Sequence, residues 1–137
     1  MRCLGIDFGA KRVGLSHGDE VGVATPLPAL VGVGPTERVA RIGELVKQRR
    51  ITDLVVGYPY NMDGTAGFKA KEVDAFVTEL KNAFGLPVHL VDETLTSYAA
   101  EESIAPKSRR QVRSSGLVDS RAACLILQDF LDHRQTP

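Results

Sequence analysis

The run LGIDFG at residues 4–9 reads as a buried strand with a carboxylate, Asp7, set between Ile6 and Phe8. Taking an isolated carboxylate out of water is costly unless a partner offsets it. Two further acids stand at comparable places. Glu93 comes just after the apolar run Val88 to Val91, and Asp119 lies at the start of the last helical stretch. Ligands of open α/β sheets bind beyond the carboxyl ends of the strands, so Asp7 and Glu93 project to one edge if their strands are neighbours. Three acids brought together repel one another unless cations lie between them. Oxygen donors without His or Cys suit Mg²⁺ or Mn²⁺. Two such ions about 4 Å apart can activate a water and stabilise the leaving oxygen of a phosphodiester. Singly, each acid has a plainer role. Asp7 reads equally as a turn residue bonding the amides of Gly9 and Ala10, Asp119 as a helix N-cap, and Asp92-Glu93 as a cap for the next helix. The metal reading therefore depends on the fold.

The elements that must position these acids are read from periodicity. Residues 2 to 8 predict a strand, Gly9 to Arg12 a turn, Val13 to Ser16 a second strand and Val21 to Leu30 a third. Pro26 and Pro28 confine that third strand to an edge or a bulge. Thr36 caps a predicted helix running to about Arg50, with Val39, Ile42, Leu45 and Val46 at helical spacing. Leu54 to Gly57 is a continuous apolar run of the kind covered on both faces. Pro59 to Gly67 reads as a loop, Phe68 to Phe84 as a helix stopped by Gly85, and Val88 to Val91 as a buried strand. A short helix from Thr94 or Thr96 to Ile104, a polar loop from Ala105 to Gly116 and a helix from Val118 to His133 complete the chain. The small Ala122 and Ala123 would let that last helix approach a sheet closely. The order βββαβαβαα predicts an α/β chain with three antiparallel strands and then two parallel ones, flanked by helices. It forms one domain over residues 1–137, since no repeat or long linker divides it.

Composition sets outer bounds. Hydrophobic residues make up 43% and charged residues 25% of the chain, which is ordinary for a globular protein. No apolar run has a membrane-spanning length, and the N-terminus lacks a signal-peptide layout, so a cytoplasmic protein with no membrane partner is expected. Cys3 and Cys124 lie in apolar segments without metal-ligand spacing, as reduced core residues would. His17, His89 and His133 are scattered, as structural or surface residues are. The net charge is zero, but Lys107, Arg109, Arg110 and Arg113 cluster in an acid-free stretch just before Asp119. That cluster is either a solvated loop or a phosphate grip that draws a polyanion past the acids.

The segments GIDFGAKRVGLS, VVGYPYNMDGT, DETLTS and VDSRAACLILQDFL resemble, in order and spacing, the motifs of the YqgF/RuvX family. Its members are small bacterial proteins described as Holliday junction resolvases and as pre-16S rRNA processing nucleases. The resemblance spans nearly the whole chain and is most specific at NMDGT. It implies an RNase H-like sheet of order 3-2-1-4-5 and puts the three family acids on Asp7, Glu93 and Asp119, as catalytic residues and ligands of a two-metal Mg²⁺ or Mn²⁺ site. Lys11, Arg12, Asn61, Lys107, Arg109, Arg110 and Arg113 are then the expected nucleic-acid contacts, with the Asn61–Gly64 turn lining the cleft. Asp63 reads as a turn residue rather than a ligand. The chain departs from the family twice. Thr94 replaces an Arg usual after the Asp-Glu pair, removing a bidentate phosphate grip, so that either substrate grip or rate differs or Lys11, Arg12 or the 107–113 loop compensates. Tyr58 and Tyr60 replace apolar residues around Pro59, either stacking on bases or packing with hydroxyls at the rim.

The resemblance implies a metal-dependent nuclease, acting on the 5′ end of pre-16S rRNA or on branched DNA such as a Holliday junction. Junction resolution favours a homodimer, whereas RNA trimming needs only a monomer. A scaffold that binds RNA or a transcription complex without cutting is a second class, which the Thr94 departure favours and the three intact acids oppose. An actin-like ATP-binding module also opens with a GIDxG strand, but this chain is too short for paired domains and lacks a second phosphate motif.

Overall fold

The computed structural model describes residues 1–9, 11–59, 67–92 and 117–135. Its strands are β1 (Arg2–Phe8), β2 (Arg12–Asp19), β3 (Thr25–Val31), β4 (Asp53–Tyr58) and β5 (Val88–Asp92). Its helices are α1 (Pro35–Arg49), α2 (Gly67–Phe84) and α3 (Leu117–Gln135). The strands form one sheet of order β3-β2-β1-β4-β5, in which β2 pairs antiparallel with β1 and β3, while β4 lies parallel between β1 and β5. This is the mixed sheet that the element order predicts and the strand order that the family resemblance implies.

Side-chain alternation along β1 divides the core in two. Leu4, Ile6 and Phe8 join Leu54 and Val56 on the face covered by Ile42, Val73, Phe76 and Leu80 of α1 and α2. Cys3 belongs to the opposite face, with Val55 and Val91, under Ile126, Leu127 and Leu131 of α3. Gly5 and Asp7 share that face by the same alternation.

Several boundaries differ from expectation for local reasons. β3 begins at Thr25 rather than Val21 because Gly22 has a positive φ and Gln128 of α3 binds the Gly22 and Ala24 backbone. β3 is the edge strand that its prolines require. α1 starts at Pro35 after an extended Gly34, with no side-chain cap; Pro35 supplies the helical φ in place of a Thr36 cap. It stops when Arg50 turns left-handed and donates its N–H to the Val46 carbonyl. α2 ends before Gly85, whose φ of +64° makes the stop that the sequence predicts. The short helix after Thr94 and the 105–116 loop lie outside the described residues. Both cysteines are free, and burial pushes the Cys3 thiol up to about 11.

α3 lies unusually close to β1 and β2. A Cβ added to Gly5 would collide with Ser16 Oγ and would sit 2.8 Å from Leu127 Cβ and 3.0 Å from the Ala123 carbonyl oxygen. Ser16 is fully buried and donates its hydroxyl to that same carbonyl at 2.8 Å. Ser120 donates to the Leu27 carbonyl, and Cys124 to that of Ala24. These bonds tie α3 to both the sheet and its edge strand. Gly5→Val should therefore push α3 off β1, lowering stability by about 3 kcal/mol. Urea unfolding would measure this, and an unchanged midpoint would show that the approach has slack.

Candidate active site

Asp7 sits at the carboxyl end of β1 and is 8% exposed. It occupies the α3 face, one register step beyond Ile6 and its partner Val56. The strand end that carries it is held from the other face. Phe8 stacks on Phe76 of α2 with ring centroids 4.5 Å apart. The guanidinium of Arg38, on α1, lies 4.9 Å from the Phe8 centroid and 5.2 Å from that of Phe76. Arg38 is buried, reaches Glu79 only at 3.7 Å, and its Nε has no hydrogen-bond partner among the described residues. Sequence periodicity does not single out Arg38. The signal that could have found it is an arginine at the head of the apolar stripe Arg38, Ile42, Leu45, where a hydrophobic residue is the default.

The contacts of α3 give its register on β1. Gly18, the partner of Cys3, lies against Leu131 and Leu127, whereas Gly5 and its partner Ser16 lie against Leu127 and Ala123. The helix therefore runs antiparallel to β1. Asp7 is two residues beyond Gly5, about 6.6 Å along the strand. On a helix that distance is about four residues, which leads from Ala123 to position 119. The first turn of α3 thus stands level with Asp7. Because α3 begins at Leu117, Asp119 is its third residue and not the N-cap.

The strand ends of β1 and β5 are not adjacent, contrary to the simplest arrangement. β4 lies between them, with Tyr58 paired to Asp92 and Gly57 to Val91. Two strand spacings, about 9.6 Å, separate β1 from β5. Gly57 fills the intervening position without a side chain. Glu93 comes directly after β5 but lies outside the described residues, as do Asn61, Tyr60, Asp63, Thr94, Lys107, Arg109, Arg110 and Arg113. Lys11 and Arg12 are described. Lys11 is exposed and Arg12 half-buried at the turn into β2, at the same edge as Asp7. Tyr58 packs against the α1–α2 core and donates its hydroxyl to Asp74 at 3.3 Å, the packed arrangement rather than a free stacking platform.

Residues 1–133 match the family model described as "RuvX: Holliday junction resolvase". The chain belongs to the RuvX family. A RuvX relative in Opitutus terrae, named "Putative pre-16S rRNA nuclease", is 60% identical over 100% of this chain and 95% of its own. One of the same name in Trichormus variabilis is 42% identical, covering 97% and 89%. Among solved structures, Thermus thermophilus RuvC with a Holliday junction substrate superposes at a TM-score of 0.58 and 22% identity, covering 99% and 96%. Fowlpox virus resolvase with Holliday junction DNA does so at 0.61 and 10%, covering 99% and 100%. At these identities the structures establish the fold that this chain shares with them, an RNase H-like sheet with flanking helices.

The donor chemistry at the Asp7 edge suits a hard divalent cation. Among the described residues, every histidine and cysteine is placed away from it. Cys3 and His17 lie at the opposite end of β1 and β2, His89 lies at the start of β5, and Cys124 and His133 lie farther along α3. His89 is engaged elsewhere, its Nε2 2.8 Å from Asp53 Oδ2 and its ring against Phe130. Among the described residues no group of three or more His, Cys, Asp or Glu side chains is gathered to hold a metal ion; Glu93 and the Asp119 side chain lie outside them.

Arg38 makes a direct test of how the strand end is held. Arg38→Met keeps the volume between α1 and the phenyl rings while removing a buried charge whose Nε has no hydrogen-bond partner among the described residues. Its stability should equal the wild type or exceed it by about 1 kcal/mol in chemical unfolding. A loss of several kcal/mol would mean that the cation–π contacts and the Glu79 pair outweigh burial of the charge.

Proposed function

We propose that this chain is a divalent-metal-dependent nuclease that processes the 5′ end of pre-16S rRNA in the cytoplasm, as a single domain over residues 1–137. The observation that carries the reading is a carboxylate, Asp7, nearly buried at the carboxyl end of the central strand in a chain of this family. Nuclease is the activity in the names of its curated relatives. No helix among the described residues is long and apolar enough to cross a membrane.

In this reading Asp7, Glu93 and Asp119 hold two Mg²⁺ or Mn²⁺ ions. Such ions lower the pKa of water and neutralise charge developing on phosphate oxygens. The protein's part is to fix the acids. Asp7 is set by the clamp on Phe8, Asp119 by the seating of α3, and Glu93 by the parallel pairing of β5 with β4. Lys11 and Arg12 stand at the entrance and draw the phosphate backbone past the acids, with Asn61, Lys107, Arg109, Arg110 and Arg113 as further contacts. Thr94 supplies no guanidinium, so more of the grip falls to these cations.

A second reading, cleavage of Holliday junctions as a homodimer, is favoured by the description of the matching family. Two symmetric cuts need two active sites, which a dimer would provide. Cleavage assays with Mg²⁺ or Mn²⁺ on an rRNA-precursor stem with a 5′ extension and on a four-way DNA junction separate the two. Asp7→Asn should lower the rate on the true substrate more than about 100-fold with the fold retained. Wild-type cutting by that variant would overturn the assignment.

A further inference from the structure

A pocket of about 320 Å³ opens at the opposite end of the sheet from Asp7. Its walls come from three elements: Arg2 and Cys3 of β1, His17 to Asp19 of β2, and Gln48 and Arg49 of α1, with Ile51 beside them. Ile51 is buried and gives the pocket an apolar patch. Arg2, Gln48 and Arg49 are exposed at the rim. Arg2 and Asp19 are cross-strand partners, yet neither Arg2 nor Arg49 forms an ion pair among the described residues. Asp19 instead turns its Oδ1 to the Val21 amide at 2.9 Å.

We propose that this pocket binds a phosphate group, carried by a small nucleotide or by a nucleic-acid strand. Two guanidiniums from different elements, neither in an ion pair among the described residues, can donate planar pairs of hydrogen bonds to phosphate oxygens. The Gln48 amide and the His17 imidazole add donors between them. One acid, Asp19, faces two arginines, so the pocket keeps positive charge. The volume admits a small organic body beside the anion. Arg2 is five residues from Asp7, about 17 Å along β1, so the pocket is separate from the catalytic edge.

His17 reports occupancy. Burial, and then the Arg49 guanidinium, hold its imidazole below the ordinary value, against the raising effect of Asp19. Arg49 faces it from α1, Asp19 from its own strand, and Arg2 from β1. A bound anion would offset Arg49 and raise the midpoint at which His17 protonates.

The test is calorimetric titration of the full chain, in EDTA, with inorganic phosphate, adenosine monophosphate and a short single-stranded RNA. His17 is monitored by NMR in the same samples. At least one probe should bind, Arg49→Met should weaken it about tenfold, Arg2→Met/Arg49→Met should weaken it further, and the His17 midpoint should rise on binding. Both side chains are exposed, so the variants should keep the wild-type melting temperature. Phosphate or nucleotide binding assigns a small-molecule site, and arginine-dependent binding of RNA alone assigns a strand contact. Absence of binding by every probe at millimolar concentration, or binding indifferent to both arginines, overturns the proposal. EDTA removes divalent ions, so this outcome is independent of cleavage.

Discussion

The seating of α3 on β1 and β2 is the constraint on which the rest of the molecule depends. A glycine at position 5, a buried serine at 16 and an alanine at 123 let a helix backbone come within hydrogen-bond reach of a strand side chain. Any larger residue at Gly5 would lift the helix. The consequence at the functional edge is geometric. Once the contact at Gly5 is set, the rise of strand and helix carries the first turn of α3 to the level of Asp7. A packing contact in the middle of the sheet thus determines where an acid at its end can stand. Ser120, Cys124 and Gln128 extend the same seating to the edge strand through backbone carbonyls and one amide.

The two faces and two ends of the sheet have separate tasks. The α1–α2 face is apolar and holds Phe8, with Arg38 as its one buried charge among the described residues. The α3 face carries Asp7. At the amino end of β4 and β5 the acid and base are already matched. Burial alone would raise the Asp53 carboxyl, but hydrogen bonds from His89 and Thr52 outweigh it and hold the group below its usual value. That pair is satisfied within the protein, whereas Arg2 and Arg49 around the pocket nearby form no ion pair among the described residues.

Much of this architecture is legible in the sequence, and the reasons are specific. Alternation and apolar runs mark all five strands, the order βββαβαβ points to three antiparallel and two parallel strands, and the family resemblance supplies the order 3-2-1-4-5. Gly85 announces the end of α2. The buried strand acid, Asp7, is legible because a carboxylate between Ile6 and Phe8 has few inexpensive explanations. The departures are local. The start of β3 depends on Gln128, more than a hundred residues away, and a window of sequence cannot contain that contact. The start of α1 differs because Thr36 is the better side-chain cap, while Pro35 sets the backbone one residue earlier. Arg38 escapes notice because helical periodicity records a charged residue as solvent-facing. The Asp53–His89 pair joins residues 36 apart and exists only once β4 and β5 are aligned.

We propose that Asp7 and Asp119 share one cation site at the carboxyl edge of the sheet, where the first turn of α3 stands level with Asp7, and on this the functional reading turns. Binding of Mn²⁺, monitored by the loss of the free-ion paramagnetic resonance signal, tests it without reference to any substrate. The wild type should bind Mn²⁺, and Asp7→Asn and Asp119→Asn should each weaken binding by at least about tenfold while unfolding at the wild-type midpoint. Equal Mn²⁺ binding by the wild type and both variants would contradict the shared site.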